Sequence, residues 1–538
     1  MGGHLSHLRH EPIHEPFDAT CGPITGNIYR HGDKKVFGYV NIPYAKPPIG
    51  DLRFKKSEPA DVWKEPRYCH LPGPISPQIF GLGDMIEDRS PEWSEADCLH
   101  LSVFGPTQSS EEFVNGYPVM VYLHGGGFEF SSAIDYDPYS LSGTLPLKDC
   151  IVVLVNYRLG VLGFLTTGDE VCRGNFGLWD QTLALKWVQR HITCFGGDPN
   201  NVTVFGQSAG GASADLLSLS PHSRDLFHKM VLMSGSAYCD FAMRTSENQA
   251  NVFREFAVHH GYTGNDSMSL LKWYKQQPAE LLVNTTKFER SNSGWLNFIV
   301  NLDGDFLPKP LEELRAEAPK KPVMLGVTQY EGLILSLKNT SGSVEALQKI
   351  LSTLFREDVV QDPQTVQKEM LKFYSSAIDN RNEDMMTRSK VLLIGDLLFN
   401  VGIHLTAQST ARAGNPTFLY SFEYCNPNDF GEFDKLLPFK DVRYVLGEGL
   451  YSKFNPTVID LEMLDKMTTL YSNFAKYGNP NGKGDVGWEQ YSLETPGRHF
   501  RIEWPDSGMI NEWQEGRTEF VQRIIENEKK HKIIAFGS

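Results

Sequence analysis

No run of 18 or more consecutive apolar residues occurs in the chain, so nothing in it reads as a membrane-spanning helix. An apolar core of the secretory kind is missing too. The chain opens Met1-Gly2-Gly3-His4-Leu5-Ser6 and carries three further histidines up to His14, which makes a cytosolic protein the expectation. Cysteine is scarce: eight residues in 538 cannot staple a disulfide scaffold, and a reducing compartment would leave them as thiols. Basic clusters are absent beyond short runs such as Lys529-Lys530, and the net charge is −15. A field of that sign repels polyanions, so no nucleic-acid partner is expected. No Pro/Gly/Ser-rich linker, charge run or internal period divides the chain, and residues 1–538 are read as one domain despite their number.

With 41% hydrophobic and 22% charged residues, the chain is apolar enough to bury a large core. Short β-branched runs alternate with helical patterns, which implies an α/β fold: a mostly parallel central sheet covered by helices on both faces. Val119 to Leu123, Ile151 to Val155, Val202 to Phe205, Met230 to Met233 and Val323 to Val327 are the predicted central strands, with Phe418 to Phe422 and Phe500 to Ile502 later. Leu178 to Ile192 has helical spacing, and the chain ends in an amphipathic helix bearing Phe520, Val521, Ile524 and Ile525. Ser236 to Phe306, irregular and aromatic-rich, reads as a helical insertion over the C-terminal edge of the sheet, where α/β proteins place their ligand crevice. Four Asn-x-Ser/Thr sequons, at Asn201, Asn265, Asn284 and Asn339, are about the number that chance supplies.

Gly206-Gln207-Ser208-Ala209-Gly210 follows a Val-Thr-Val-Phe strand and precedes a small-residue helix. That is the context in which Gly-x-Ser-x-Gly forms a sharp turn exposing a nucleophilic serine. His124-Gly125-Gly126-Gly127-Phe128 directly follows another strand. Its consecutive glycines let backbone N–H groups approach a tetrahedral oxyanion, and the expected donors are the amides of Gly126, Gly127 and Ala209. No metal-ligand spacing or cofactor motif is found, so neither a metal nor a cofactor is expected.

Together with further motifs, the chain resembles the type B carboxylesterases, the family of α/β-hydrolases that includes the cholinesterases. The likeness runs from about residue 23 to 505, leaving 1–22 as an N-terminal extension. It includes Asn41-Ile42-Pro43-Tyr44-Ala45, Pro47-Pro48, Leu52-Arg53-Phe54, Asn156-Tyr157-Arg158-Leu159-Gly160 and Gly174-Asn175-Phe176-Gly177-Leu178-Trp179-Asp180-Gln181. Phe195-Gly196-Gly197-Asp198-Pro199, Asp303-Gly304-Asp305-Phe306, Asn473-Phe474-Ala475-Lys476 and Gly478-Asn479-Pro480 extend it. The resemblance implies an α/β-hydrolase fold and carboxylic ester hydrolysis by a serine, an acid and a histidine. It places the nucleophile at Ser208 and the acid at Glu331, in the Glu331-Gly332 pair after Gly326-Val327. The histidine should stand six positions before the aromatic of a Tyr-Val-Phe-Gly-like segment. Here that segment is Tyr444-Val445-Leu446-Gly447, which puts Pro438 at the histidine position, and no histidine occurs between His404 and His499.

A serine hydroxyl is a poor nucleophile until a base takes its proton, and proline offers none. His404 and His499 read as structural histidines, His124 precedes the hole glycines, and Lys435 or Lys440 would need a strongly lowered pKa to serve. The resemblance also implies a disulfide between residue 76 and Cys98. Serine occupies position 76, so Cys98 has lost that partner, with Cys69 a conceivable substitute. Trp93 lies too near Cys98 to match the tryptophan that holds choline in cholinesterases. Three readings follow: a catalytically impaired, ligand-binding pseudoenzyme that takes a small apolar ester or acyl ligand or a protein partner; an active ester hydrolase or acyl transferase with an unrecognised base; and a scaffold without a ligand. The opening also fits the N-myristoylation pattern, with Gly2 as acceptor and Ser6 in place, which would give weak, reversible membrane attachment.

Overall fold

The computed structural model describes residues 10–79, 92–285, 288, 296–333, 343–355, 360–376, 383–426, 440–448 and 456–528. Its centre is a 12-stranded sheet in which seven neighbouring strands run parallel. In spatial order these are Ile151–Val155, Tyr117–Leu123, Gly197–Gln207, Lys229–Met233, Val323–Thr328, Thr417–Phe422 and His499–Ile502. Antiparallel strands extend both edges: His100–Pro106, Lys34–Pro43, Asn27–His31 and His10–Pro12 on one side, Gly508–Ile510 on the other.

Each predicted central strand is present, and most gain a residue or two at an end. The run from Val202 belongs to a longer element that begins at Gly197, where the pairing with Tyr117–Leu123 shifts register. The pleat sends alternate residues to opposite faces, and both faces are covered, which is why these strands read as continuous apolar runs. Val119, Val121 and Leu123 pack with the helices Phe176–His191 and Ala209–Leu219. Met120 and Tyr122 point the other way, into a cluster that includes Met463, Met467, Tyr471 and Phe474 of the helix Val458–Tyr477. The terminal helix Arg517–Glu528 buries Val521, Ile524 and Ile525 in a third cluster beside Leu393 and Leu397.

The helix Met385–Arg412 is long and apolar enough to cross a membrane by composition, yet 83% of its apolar window is buried inside the protein. It is a core helix, interrupted by one π-helical stretch at Asp396–Asn400. Between Ser236 and Phe306 the expected helices occur at Ser246–His259, Ser267–Gln276 and Ala279–Val283. They are joined by a small parallel sheet of Met243–Thr245 with Val300–Leu302 that three-residue strands are too short to announce by alternation.

Several quoted motifs prove to be fixtures of this frame. Arg158 donates through Nε and Nη2 to both oxygens of Asp180, each at 2.7 Å, and both side chains are buried. Asp303 turns its carboxylate back on its own loop and accepts from the amides of Asp305, Phe306 and Leu307. The segment before residue 23 is also structured where described, with strands at His10–Pro12 and Phe17–Ala19.

Candidate active site

The elbow is built by close approach. A Cβ on Gly206 would stand 2.4 Å from the backbone of Gly210, and one on Gly210 would stand 2.0 Å from the carbonyl oxygen of Leu123. Only glycine lets the strand Gly197–Gln207 turn directly into the helix Ala209–Leu219 at this distance. Ser208, between them, is held at φ 55° and ψ −122°, a region that L-residues rarely occupy, by its N–H bond to the Met233 carbonyl at 2.7 Å. The result is a half-buried serine at the C-terminal end of the sheet while its neighbours are buried.

The glycine loop is equally constrained. Gly126 and Gly127 have φ of 90° and 60°, and a Cβ on Gly126 would meet the Phe130 carbonyl oxygen at 2.0 Å. A Cβ on Gly125 would fall 2.5 Å from the Gln207 side chain and 3.3 Å from Ser208 Cβ, which puts this loop against the elbow. Ala209 is the first residue of its helix, where an N–H has no intrahelical acceptor. The amides of Gly126, Gly127 and Ala209 are bound to no other group among the described residues. They are therefore free to receive an oxyanion beside Ser208. Two residues that the motifs did not indicate shape this corner. Leu296 stands over Gly127, 3.0 Å from where a Cβ would be, and Glu129 ties the loop to the insertion by accepting from the amides of Asn297 and Phe298.

Glu331 follows the strand Val323–Thr328 and is 1% exposed. Its Oε1 accepts three hydrogen bonds: from Ser234 Oγ at 2.5 Å, from Thr328 N at 2.5 Å and from Thr328 Oγ1 at 2.9 Å. Its Oε2 is buried with no partner among the described residues. Gly332 beside it is obligatory, since a Cβ there would stand 2.0 Å from the Val391 carbonyl oxygen. Burial pushes the Glu331 carboxyl up to about 8; the Ser234 and Thr328 donors oppose this, and the nearby Asp441 carboxyl adds to it. Asp441, also fully buried, is itself pushed up to about 7 by burial, with one oxygen accepting from Tyr420 at 3.1 Å and the other without a partner among the described residues. Neither Asp441 nor Ser234 carried a sequence signal, because their roles depend on contacts across 97 and more residues of chain.

The histidines named above lie elsewhere. His404 Nε2 bonds to the Pro496 carbonyl at 2.8 Å. His499 Nε2 lies 3.2 Å from Ser421 Oγ, and its ring is kept neutral by burial, which lowers its pKa to about 4. His124 stacks on Tyr157, bonds to the Gly125 carbonyl and is likewise pushed down to about 4 by burial. Among the described residues, no histidine hydrogen-bonds to Ser208 or Glu331, and no group of three His, Cys, Asp or Glu could hold a metal ion. Pro438, Lys435 and Gly2 lie outside the described residues. Cys98 is buried near the Ser76 hydroxyl, and Cys69 and Cys21 are buried as free thiols. Burial pushes all three thiols up to about 12.

Such a site, supplied with a base, would let Ser208 Oγ attack an ester carbonyl while the Gly126, Gly127 and Ala209 amides receive the developing oxyanion. Comparison with known proteins points the same way. The Carboxylesterase family profile matches residues 15–521, a wider span than the motifs alone marked out, and it takes in part of the segment set aside as an N-terminal extension. The chain is 54% identical to esterase cest-33 of Caenorhabditis elegans over 100% of its own length and 99% of that protein's. It is 32% identical to carboxylesterase 1E of Rattus norvegicus over 91% of this chain and 90% of the relative. It is also 32% identical to juvenile hormone esterase of Tribolium castaneum, with 90% and 87% covered. The chain belongs to the carboxylesterase family of α/β-hydrolases.

Proposed function

We propose that this carboxylesterase-family protein is a catalytically impaired, ligand-binding relative of the ester hydrolases, with Ser208 as residual nucleophile, Glu331 as acid and Gly126, Gly127 and Ala209 as oxyanion hole. The observation that carries the reading is the Glu331 carboxyl: buried, with one oxygen that has no partner among the described residues, and pushed up to about 8 by that burial. An acid that orients an imidazole has its second oxygen occupied and its charge compensated. A proline at position 438, where the family pattern has its histidine, is in keeping with that state. The ligand class is a small apolar ester or acyl group, received against Leu296 and the glycine loop.

The competing reading, an active hydrolase or acyl transferase with an unrecognised base, is favoured by one observation. The strained Ser208 and the free hole amides are kept intact. Loss of a triad histidine costs about 2 × 10⁶ in turnover and leaves about 10³ to 10⁴ over water from the hole and binding. The test is turnover of short p-nitrophenyl esters and fluorophosphonate labelling, each beside Ser208→Ala. Turnover at least about a thousandfold below an ordinary carboxylesterase is expected. An ordinary rate that Ser208→Ala abolishes would overturn the reading.

We also propose a cytoplasmic protein whose Gly2 carries a myristoyl group. The Gly2 to Ser6 pattern supports this, and intact-mass measurement of the N-terminal peptide tests it.

A further inference from the structure

The described chain begins at the strand His10–Pro12, which pairs with Asn27–His31 at a free edge of the central sheet. Pro12 stands opposite Asn27, whose side-chain amide donates to the His70 carbonyl at 2.9 Å. The His10 ring lies 5.8 Å from that of Tyr29, and the Tyr68 ring lies 6.3 Å from that of His70. Trp63, next to Val62 in the chain, sits under the Arg67 guanidinium at 4.8 Å. One corner of the molecule thus holds both the root of the N-terminal segment and residues 62–71.

That corner is unusually apolar for a surface. Val62, Tyr68 and Leu71 are 67%, 82% and 75% exposed. Among the described residues only Val114 and Val458 also exceed 65% as large hydrophobics, so three of five fall within ten positions. The strand Arg67–Tyr68 is the outer member of its three-stranded sheet, with no further strand paired to it among the described residues. Scattered exposed hydrophobics need no explanation, whereas a group beside the emerging end of the chain does.

We propose that Val62, Tyr68 and Leu71 form a contact tip for a lipid bilayer that acts together with an acyl chain on Gly2. The proposal rests on the acylation proposed above. Gly2 lies eight residues before His10, a span of at most about 29 Å, so an acyl chain on it is within reach of the tip. A single myristoyl chain holds a protein only marginally, and stable attachment takes a second signal, which the tip supplies. A tyrosine between aliphatic side chains suits the interfacial layer. Around the tip, Lys64 and Arg67 are offset by Asp61 and Glu65, and the whole chain carries −15, so the surface recognised is zwitterionic rather than anionic.

The experiment is sedimentation of the full chain, made with and without N-myristoyltransferase, on phosphatidylcholine vesicles with and without phosphatidylserine. Acylated wild type is expected to partition, and Tyr68→Ser with Leu71→Ser to weaken it on the order of tenfold, from the apolar area kept in water. Phosphatidylserine should not strengthen binding. If Gly2→Ala loses partitioning and the double serine variant keeps it, the tip is overturned while acylation stands. If Gly2→Ala matches wild type, acylation and the tip's cooperation with it both fall. Tighter binding by the double serine variant would mean that these side chains cover the acyl chain in solution, and it too overturns the bilayer contact.

Discussion

Replacing Glu331 by glutamine should stabilise the protein, and increasingly so as pH rises. The group's ordinary pKa is 4.5 and burial takes it to about 8 in the folded state. Between those values the unfolded chain releases a proton that the folded chain keeps, so stability falls as pH climbs through the window and the penalty is absent below it. At one pKa unit per 1.36 kcal/mol, the penalty is below about 1 kcal/mol at pH 5, about 3 at pH 7 and about 4 at pH 8. Glutamine keeps an acceptor for Ser234 and Thr328 and never ionises. For 538 residues the unfolding entropy is about 1.1 kcal/mol/K, so Tm should rise by about 4 °C at pH 8 and by less than about 1 °C at pH 5.

The assay is a thermal melt of wild type and Glu331→Gln across pH 5 to 8. A triad with its histidine in place gives the opposite expectation, because an imidazole compensates the carboxylate and removal of the charge gains nothing. An unchanged or lowered Tm at pH 8 would mean that a cation reaches Glu331 in solution, and the reasoning that makes the site baseless would fail.

Three further outcomes are expected. Pro438→His should raise ester turnover by about tenfold to a thousandfold over Pro438→Ala, short of full recovery because a proline fixes its own φ and disfavours the helical region for the residue before it, so a loop evolved around proline need not follow the path that a histidine needs; no gain, or a gain that survives Ser208→Ala, refutes it. Gly210→Ala should abolish fluorophosphonate labelling, since its Cβ meets the Leu123 carbonyl at 2.0 Å and must push the helix off the elbow; retained labelling would show that the approach is not needed. Asp180→Asn should cost about 3–5 kcal/mol in urea unfolding by leaving the buried Arg158 guanidinium unpaired; a loss below about 1 kcal/mol would count against that pair as a support of the frame.

The parallel strands and the elbow were legible because each depends on local pattern. A buried strand shows as an apolar run, and the turn at Ser208 demands glycine at fixed offsets whatever else the chain contains. The partners of Glu331 were not, since Ser234 and Thr328 are ordinary hydroxyl residues until the strands Lys229–Met233 and Val323–Thr328 lie side by side. Asp441 was passed over for a related reason: it stands three residues after Pro438 in a segment read for a histidine, and its importance comes from being buried near a second carboxyl. The motif residues Arg158, Asp180 and Asp303 hold the frame, and their signal says nothing about turnover. On the proposed reading a chain can keep almost every family motif while losing one proton acceptor, because those motifs answer to packing and the acceptor answers to chemistry. That difference makes the charge state of Glu331 a sharper witness to function than the number of motifs retained.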